Sequence, residues 1–190
     1  MLNNASFKYN NNNVLEGKLF NFQSQEIENK LRIENTIQQN EWKINVGAGL
    51  EYVKFTNETD NTITLPNGNN ETIAISSSLD FYKYNLFGQI SRTIAKDKLS
   101  LSVGLRTDGN TYSAKMNNPW TQLSPRFSAS YKLNPQWNLN FNTGRYYQTP
   151  AYTMLGYKDS NNQFINRANN ISFIQCTHWV GGIEYSAMKN

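Results

Sequence analysis

Between Leu99 and Leu105 every second residue is apolar: Leu99, Leu101, Val103 and Leu105 alternate with Ser100, Ser102 and Gly104, and Arg106 and Asp108 continue the polar side. Successive side chains of an extended chain point to opposite sides, so this stretch predicts a β-strand with one apolar and one polar face. A helix, with its period of about 3.6, cannot gather those residues on one side. The apolar face needs an apolar neighbour, and the choices are a protein core or the hydrocarbon of a bilayer.

The same alternation recurs along the chain. Ile27, Leu31, Ile33 and Ile37 alternate with Glu28, Lys30, Arg32, Glu34 and Thr36. After a short turn at 38–41, Trp42, Ile44, Val46, Ala48, Leu50 and Tyr52 alternate with Lys43, Asn45, Gly47, Gly49 and Glu51. Tyr82, Tyr84, Leu86, Gly88 and Ile90 do so with Lys83, Asn85, Gln89 and Ser91 before the turn AKDK at 95–98, which leads into the Leu99 strand. Phe127, Ala129 and Tyr131, the turn LNPQ at 133–136, and Trp137, Leu139, Phe141 and Thr143 repeat the plan. A last strand is expected over about 171–186, while 1–22 reads poorly as a strand. The stretches 56–78, 109–122 and 149–170, rich in Asn, Thr, Pro and Gly, are expected to be long polar loops. Short turns at one end and long loops at the other are the layout of an outer-membrane barrel.

Aromatic residues make up 13% of the 190 residues and charged residues only 17%, against roughly 25% charged in ordinary soluble domains. Trp42 and Trp137 follow short turns, Tyr131 precedes one, and Tyr185 falls at the matching level of the last strand, as an interfacial girdle requires. A second set, Tyr52, Phe55, Tyr82 and Tyr84, falls toward the long loops. Such aromatics also edge the cores of soluble sandwiches and barrels, so position alone leaves both readings open. The polar face is mostly Ser, Asn and Gly with some Arg and Glu, which suits a lumen better than a water-facing surface loaded with Lys and Glu.

Several function classes lack support. The net charge of +4 comes from scattered residues without a basic block, so no nucleic-acid partner is expected. The single cysteine, Cys176, reads as a small, partly buried strand residue. The single histidine, His178, points inward beside Glu184 by parity and reads as a hydrogen-bonding group; no metal site and no cofactor are expected. No run of 18 apolar residues is present, and the stretch MLNNASFKYN lacks the apolar core of a signal peptide. No GxSxG, HExxH, phosphate loop or GxGxxG occurs, and Glu26, Glu28, Glu34, Glu51 and Asp108 read as evenly spaced strand-face acids. No catalytic residue is assigned. The stretch GRYYQTP at 144–150 has two readings: Tyr146 and Tyr147, with Tyr152 and the loop residue Trp120, stack on a ligand, or the tyrosines pack the loop base where Pro150 ends a strand.

Specific words add to these periods. GLRTDGN (104–110), LSPRFSASYKLNPQWNLNFNTGRYYQTPAYTMLGY (123–157) and NISFIQCTHWVGGIEY (170–185) resemble consecutive barrel strands of TonB-dependent outer-membrane receptors of the Bacteroidetes type. One departure is Thr107, where that family usually has an aromatic. The resemblance is strongest over 82–185, and the strand pattern is weakest over 1–25. It implies an all-β fold: an antiparallel transmembrane β-barrel segment of about seven to eight strands from a larger barrel of about 22, with residues 1–190 one partial barrel segment without a plug domain. The implied parent is a receptor in the Gram-negative outer membrane that takes up a scarce nutrient, a siderophore, glycan or similar molecule. Its partners would be outer-membrane lipid, the rest of the receptor chain including the plug, the TonB complex through that plug, and the small-molecule or glycan ligand. Arg106, Asp108, Arg126, His178 and Glu184 are then expected to face the lumen. Two alternatives remain at this point: a self-contained eight-stranded outer-membrane barrel with a structural or adhesive role, or a soluble β-barrel or sandwich that binds carbohydrate through its loop aromatics.

Overall fold

A computed structural model describes residues 2–10 and 18–187. The alternating stretches form strands β2 (Lys18–Gln39), β3 (Trp42–Thr64), β4 (Asn70–Ile94), β5 (Leu99–Asn110), β6 (Ser124–Lys132), β7 (Trp137–Gln148) and β8 (Ile174–Tyr185), preceded by β1 (Leu2–Asn10). They make one antiparallel sheet in chain order, each strand bonded to the next. Among the described residues β1 and β8 are the two edges, so the ladder does not close into the circuit that a self-contained eight-stranded barrel needs.

Two expectations are corrected. Residues 2–10 are a strand after all, paired with Lys18–Ile27 of β2. Most of 56–78 is not loop: β3 and β4 pair continuously out to Thr64 and Asn70, and only the tip at 65–69 turns, with Gly68 at φ 82°. Asn, Thr and Ser are weak strand formers, but the unbroken ladder below extends through them, and pairing context outweighs that preference. The other two long connections carry short pieces: a 3₁₀ turn at Pro119–Gln122, and helices α1 (Tyr152–Leu155) and α2 (Ile165–Ala168). Cys176 is exposed rather than partly buried, because it lies on the edge strand β8.

Register fixes the two faces. Ile33 opposes Ala48 and Ile37 opposes Ile44; Ile44 opposes Ile90, Ile90 opposes Val103, and Val103 opposes Phe127. The face they share is bare: Ile33 is 69% exposed, Leu31 61% and Val103 54%. The opposite face is concave, with a cleft of about 590 Å³ lined by residues from Gln38 and Lys43 through Ser91, Ser102 and Ser128 to Asn142.

The aromatic girdle gives the tilt. The row starting at Trp42 runs through Arg92, Leu101 and Ala129 to Phe141, yet the tryptophan of β7 is Trp137, four residues nearer the short turns. The end of the sheet thus drifts by about one residue per strand, the stagger that tilted barrel strands require. At this level Trp137 packs on Tyr185 with ring centroids 4.8 Å apart, and the Arg92 guanidinium sits 4.8 Å from the Trp42 ring while bonding Glu41 at 3.1 Å. An arginine held this way reaches a membrane interface with its stem in oil. Ten residues further along the same face lie Tyr52 on β3 and Tyr147 on β7. At about 3.4 Å per residue and a tilt of about 40°, ten residues span about 26 Å, close to the roughly 25 Å apolar band of outer-membrane barrels. Tyr52 meets Tyr82 at 5.3 Å at this upper level.

Candidate functional site, the inner wall

The concave face divides by height. Near the short turns it is lined by hydroxyls and amides that pair across strands: Ser91 with Ser102 at 2.9 Å, Thr93 with Ser100 at 3.1 Å, Ser130 with Asn140 at 2.7 Å. Such groups bond one another and water equally well, so this zone is a wettable surface with few charges.

Charge begins at mid-height. Arg32 pairs with Glu34 at 2.9 Å and stacks over Phe87 at 5.1 Å. Arg106 grips Asp108 with its Nε and Nη2, the shorter contact 2.6 Å. Residues i and i+2 of a strand share a face, which is why GLRTDGN places this pair together. Arg126 has no such acid and lies with its guanidinium 4.6 Å from the ring of Tyr146, whose other neighbour is His178 at 5.0 Å. Gly144 makes room for this stack: a Cβ there would sit 3.2 Å from both the Arg126 stem and the Tyr146 ring.

Higher still, β2, β3 and β4 bring Glu28, Lys30, Glu51 and Lys83 into one cluster. Lys30 contacts Glu28 at 2.6 Å and Glu51 at 3.4 Å; Lys83 contacts Glu28 at 3.0 Å and Glu51 at 3.6 Å. From α1, Tyr152 completes it: Lys83 donates to the phenol oxygen, which donates to the Glu28 carboxylate. Burial, and then the adjacent Glu28 carboxylate, push the Tyr152 phenol well above the ordinary tyrosine range. It therefore stays protonated and keeps its donor.

Above this cluster the concave face turns apolar and is covered. Val53, Phe55, Leu79 and Phe81 of β3 and β4 are buried under Tyr112 and Met116 from the β5–β6 connection and Leu155 from α1. The two connections also grip each other: Tyr112 donates to the Leu155 carbonyl at 2.7 Å, and Ser113 to that of Ile171 at 2.9 Å. Gly156 allows α1 to approach, since a Cβ there would meet Ser77 Oγ at 2.6 Å. The long connections are thus folded onto the wall as a packed cap at the upper end. Phe55, counted in sequence with the upper aromatics Tyr52, Tyr82 and Tyr84, belongs to this cap and not to the outer face.

The residues singled out in sequence are not brought to one place. Arg106, Asp108, Arg126, His178 and Glu184 share the concave face by register, and Asn140 donates to Glu184 at 3.5 Å. Tyr146 joins Arg126 and His178, and Tyr152 is consumed in docking α1. Tyr147 lies on the opposite, outer face, bonded to Gln175 at 3.1 Å. Trp120 is 76% exposed in a segment tied to that same outer face, where Thr107 donates to the Pro119 carbonyl and Tyr84 to that of Asn117. Single-strand parity reaches Tyr147, which is ten residues from Trp137; the Glu28 to Lys83 cluster needs interstrand register, which one sequence does not print. Among the described residues no three His, Cys, Asp or Glu side chains gather as metal ligands, and no helix is long and apolar enough to cross a membrane.

A tilted, open antiparallel sheet with a bare apolar band between two aromatic levels, a polar concave wall and a loop cap defines a segment of a transmembrane β-barrel. Residues 2–173 match the family described as TonB dependent receptor-like, beta-barrel, and the chain belongs to that family. The match extends through the first eighty residues, where the motif likeness did not reach. The family is one of transport receptors of the Gram-negative outer membrane, not of enzymes. Among solved structures the chain is similar in fold to one named Copper transporter OprC, at TM-score 0.62 and 17% identity over 90% of this chain. The chain spans 29% of that structure's length. No curated protein matches.

Proposed function

We propose that this chain forms part of the barrel wall of a TonB-dependent transporter that takes up a scarce small-molecule or glycan nutrient, such as a siderophore, across the outer membrane of a Gram-negative bacterium. The observation that carries this reading is the bare apolar band on the outer face, about 26 Å tall between Trp42 and Tyr52, on a chain of this receptor family. The polar concave wall then lines the lumen and meets the plug, and energy reaches the transporter through TonB acting on that plug. Tyr147 and Trp120 serve the upper membrane interface with Tyr52, Tyr82 and Tyr84. Tyr146, Arg126 and His178 face the passage.

The test is an immunoblot of envelope fractions with antibody raised against this chain. A band much larger than 21.9 kDa in the outer membrane is the expected result. A band in the soluble fraction would overturn the reading.

A further inference from the structure

We propose that Arg126, with Tyr146 and His178, forms a carboxylate-binding site at mid-height on the concave wall. Three arginines, Arg32, Arg106 and Arg126, line one cleft there. Two have their own acid, Glu34 and Asp108. Arg126 has none among the described residues; its contact is the ring of Tyr146, 4.6 Å away.

Arg126 is also placed on the wall unlike its neighbours. Gly104 and Gly144 flank it on the adjacent strands, opposite it in register. A Cβ at Gly144 would crowd the space beside it, meeting the Arg126 stem at 3.2 Å. The guanidinium carbon lies over the Tyr146 ring, 4.6 Å from its centroid. A guanidinium carries its N–H groups in its own plane, and an edge not taken by an acid can donate two parallel bonds to a planar acceptor. A carboxylate fits that fork. His178, whose ring is 5.0 Å from Tyr146 on the strand beyond, brings an imidazole N–H to the same stretch of wall. Of the three arginines in this cleft, Arg126 is the one without its own acid among the described residues.

The carboxylate comes either from a solute in the passage or from an acidic side chain elsewhere in the receptor. The site rests on the concave face being the lumen, as in the reading above, but its test does not depend on transport. The whole receptor carrying Arg126→Lys is treated with a water-soluble carbodiimide, with and without succinate, then digested and weighed. The reagent activates a carboxylate, which an amine within reach attacks, forming an amide and releasing a urea; succinate activated in solution also acylates exposed amines, so Lys43, an exposed lysine of the same face, gives the background. Lys30 and Lys83, 2.6 and 3.0 Å from Glu28, form control links that report an intact wall whatever the protein transports.

A succinyl mass gain at position 126 well above that at Lys43 establishes a solute site. A link from 126 to another acidic residue of the receptor without succinate establishes an internal partner. A gain at 126 no greater than at Lys43 and no link from 126 to another acidic residue, with the control links formed, overturns the proposal. Should the substituted receptor fail to assemble, phenylglyoxal labelling of the unsubstituted one in succinate decides. Arg167 is also stacked on aromatics, Tyr112 and Phe164, but in an outer connection. Slower labelling of Arg126 than of Arg167 supports the site, and equal labelling overturns it.

Discussion

Strands β3 and β4 carry opposite patterns below and above Tyr52 and Tyr82. Below, the outer face is Trp42, Ile44, Val46 and Leu50 with Leu86 and Ile90, and the inner face is Lys43, Asn45 and Glu51 with Lys83, Asn85 and Gln89. Above, the outer face becomes Lys54, Thr56 and Glu58 with Asp80 and Ser78, while the inner becomes Val53, Phe55, Leu79 and Phe81. The strands do not bend or slip there, since the ladder is continuous from Trp42 to Thr64. What changes is the surroundings. On the outside a bare apolar face gives way to a polar one, and on the inside an uncovered polar face gives way to packed connections. A soluble sandwich keeps one face apolar along a whole strand; a strand that exchanges its faces has crossed a boundary on each side.

If that contrast is right, the most damaging single change lies in the upper inner region. Phe81 is 2% exposed and touches the rings of Tyr112 and Tyr152 at 6.0 and 5.8 Å. Phe81→Ala should cost about 3–5 kcal/mol, by lost burial and a cavity, and should free the cap. Rapid proteolysis within 149–173 of the variant receptor is the expected readout; unchanged cleavage would break the idea that the connections form a core with the wall. Next comes the lower outer region. Val103→Arg places a charge at mid-band and should cost about 2–4 kcal/mol, whereas Ser102→Arg, one residue away on the cleft side, should assemble. Heat-modifiable mobility of membrane extracts compares them, and equal tolerance of both would sink the assignment of lipid to the Val103 face.

The lower pattern was legible in sequence because lipid and lumen demand opposite polarities on alternate residues, and Leu99 to Asp108 states that demand without any partner. The girdle was legible for the same reason: Trp42, Trp137, Tyr131 and Tyr185 stand at fixed offsets from short turns. The upper region was not. Residues 57–64 and 70–78 are polar in their own right and look like loop, since the ladder that extends them is a property of two strands together. The inner apolar residues Val53 and Phe55 hide in the same alternation as Lys54 and Thr56, their meaning set by connections about 57 to 102 residues away in the chain. The Tyr152 to Glu28 bond joins positions 124 apart. Tyr152 could be suspected as a tyrosine near Pro150, but its role as a latch depends on where α1 lands.

That latch sharpens the contrast at a smaller scale. Tyr152→Phe keeps the ring against Phe55 and Phe81 and removes only the hydroxyl, leaving Lys83 and Glu28 short of one partner. The cost should be about 1–3 kcal/mol, less than for Phe81→Ala. Because the folded phenol has its pKa raised above the ordinary 10.0, its contribution is complete below that value and is lost as pH rises through and beyond it. Proteolysis of the cap should therefore accelerate at alkaline pH in the parent more than in Tyr152→Phe. Parallel curves would remove Tyr152 as the latch.

The smallest effect is predicted for a change that looks severe on paper. Glu58 is on the outer face of β3, the same face as Val46 and Leu50, but six residues beyond Tyr52. Glu58→Lys reverses a charge on a face that carries bare apolar residues lower down. If the outer face were one continuous surface meeting one solvent, this change and Val103→Arg would be equivalent insertions of a cation. If the boundary lies at Tyr52 and Tyr82, Glu58 stands in water opposite Ser76, and the substitution should alter stability by no more than about 0.5 kcal/mol, as at other exposed positions. Unfolding midpoints of the two variants in the same detergent measure the difference directly. A Glu58→Lys receptor as impaired as Val103→Arg would move the upper edge of the band past residue 58, which would make the band about half as tall again and too thick for a bilayer; a silent Glu58→Lys leaves the tyrosine pair as the place where the membrane ends.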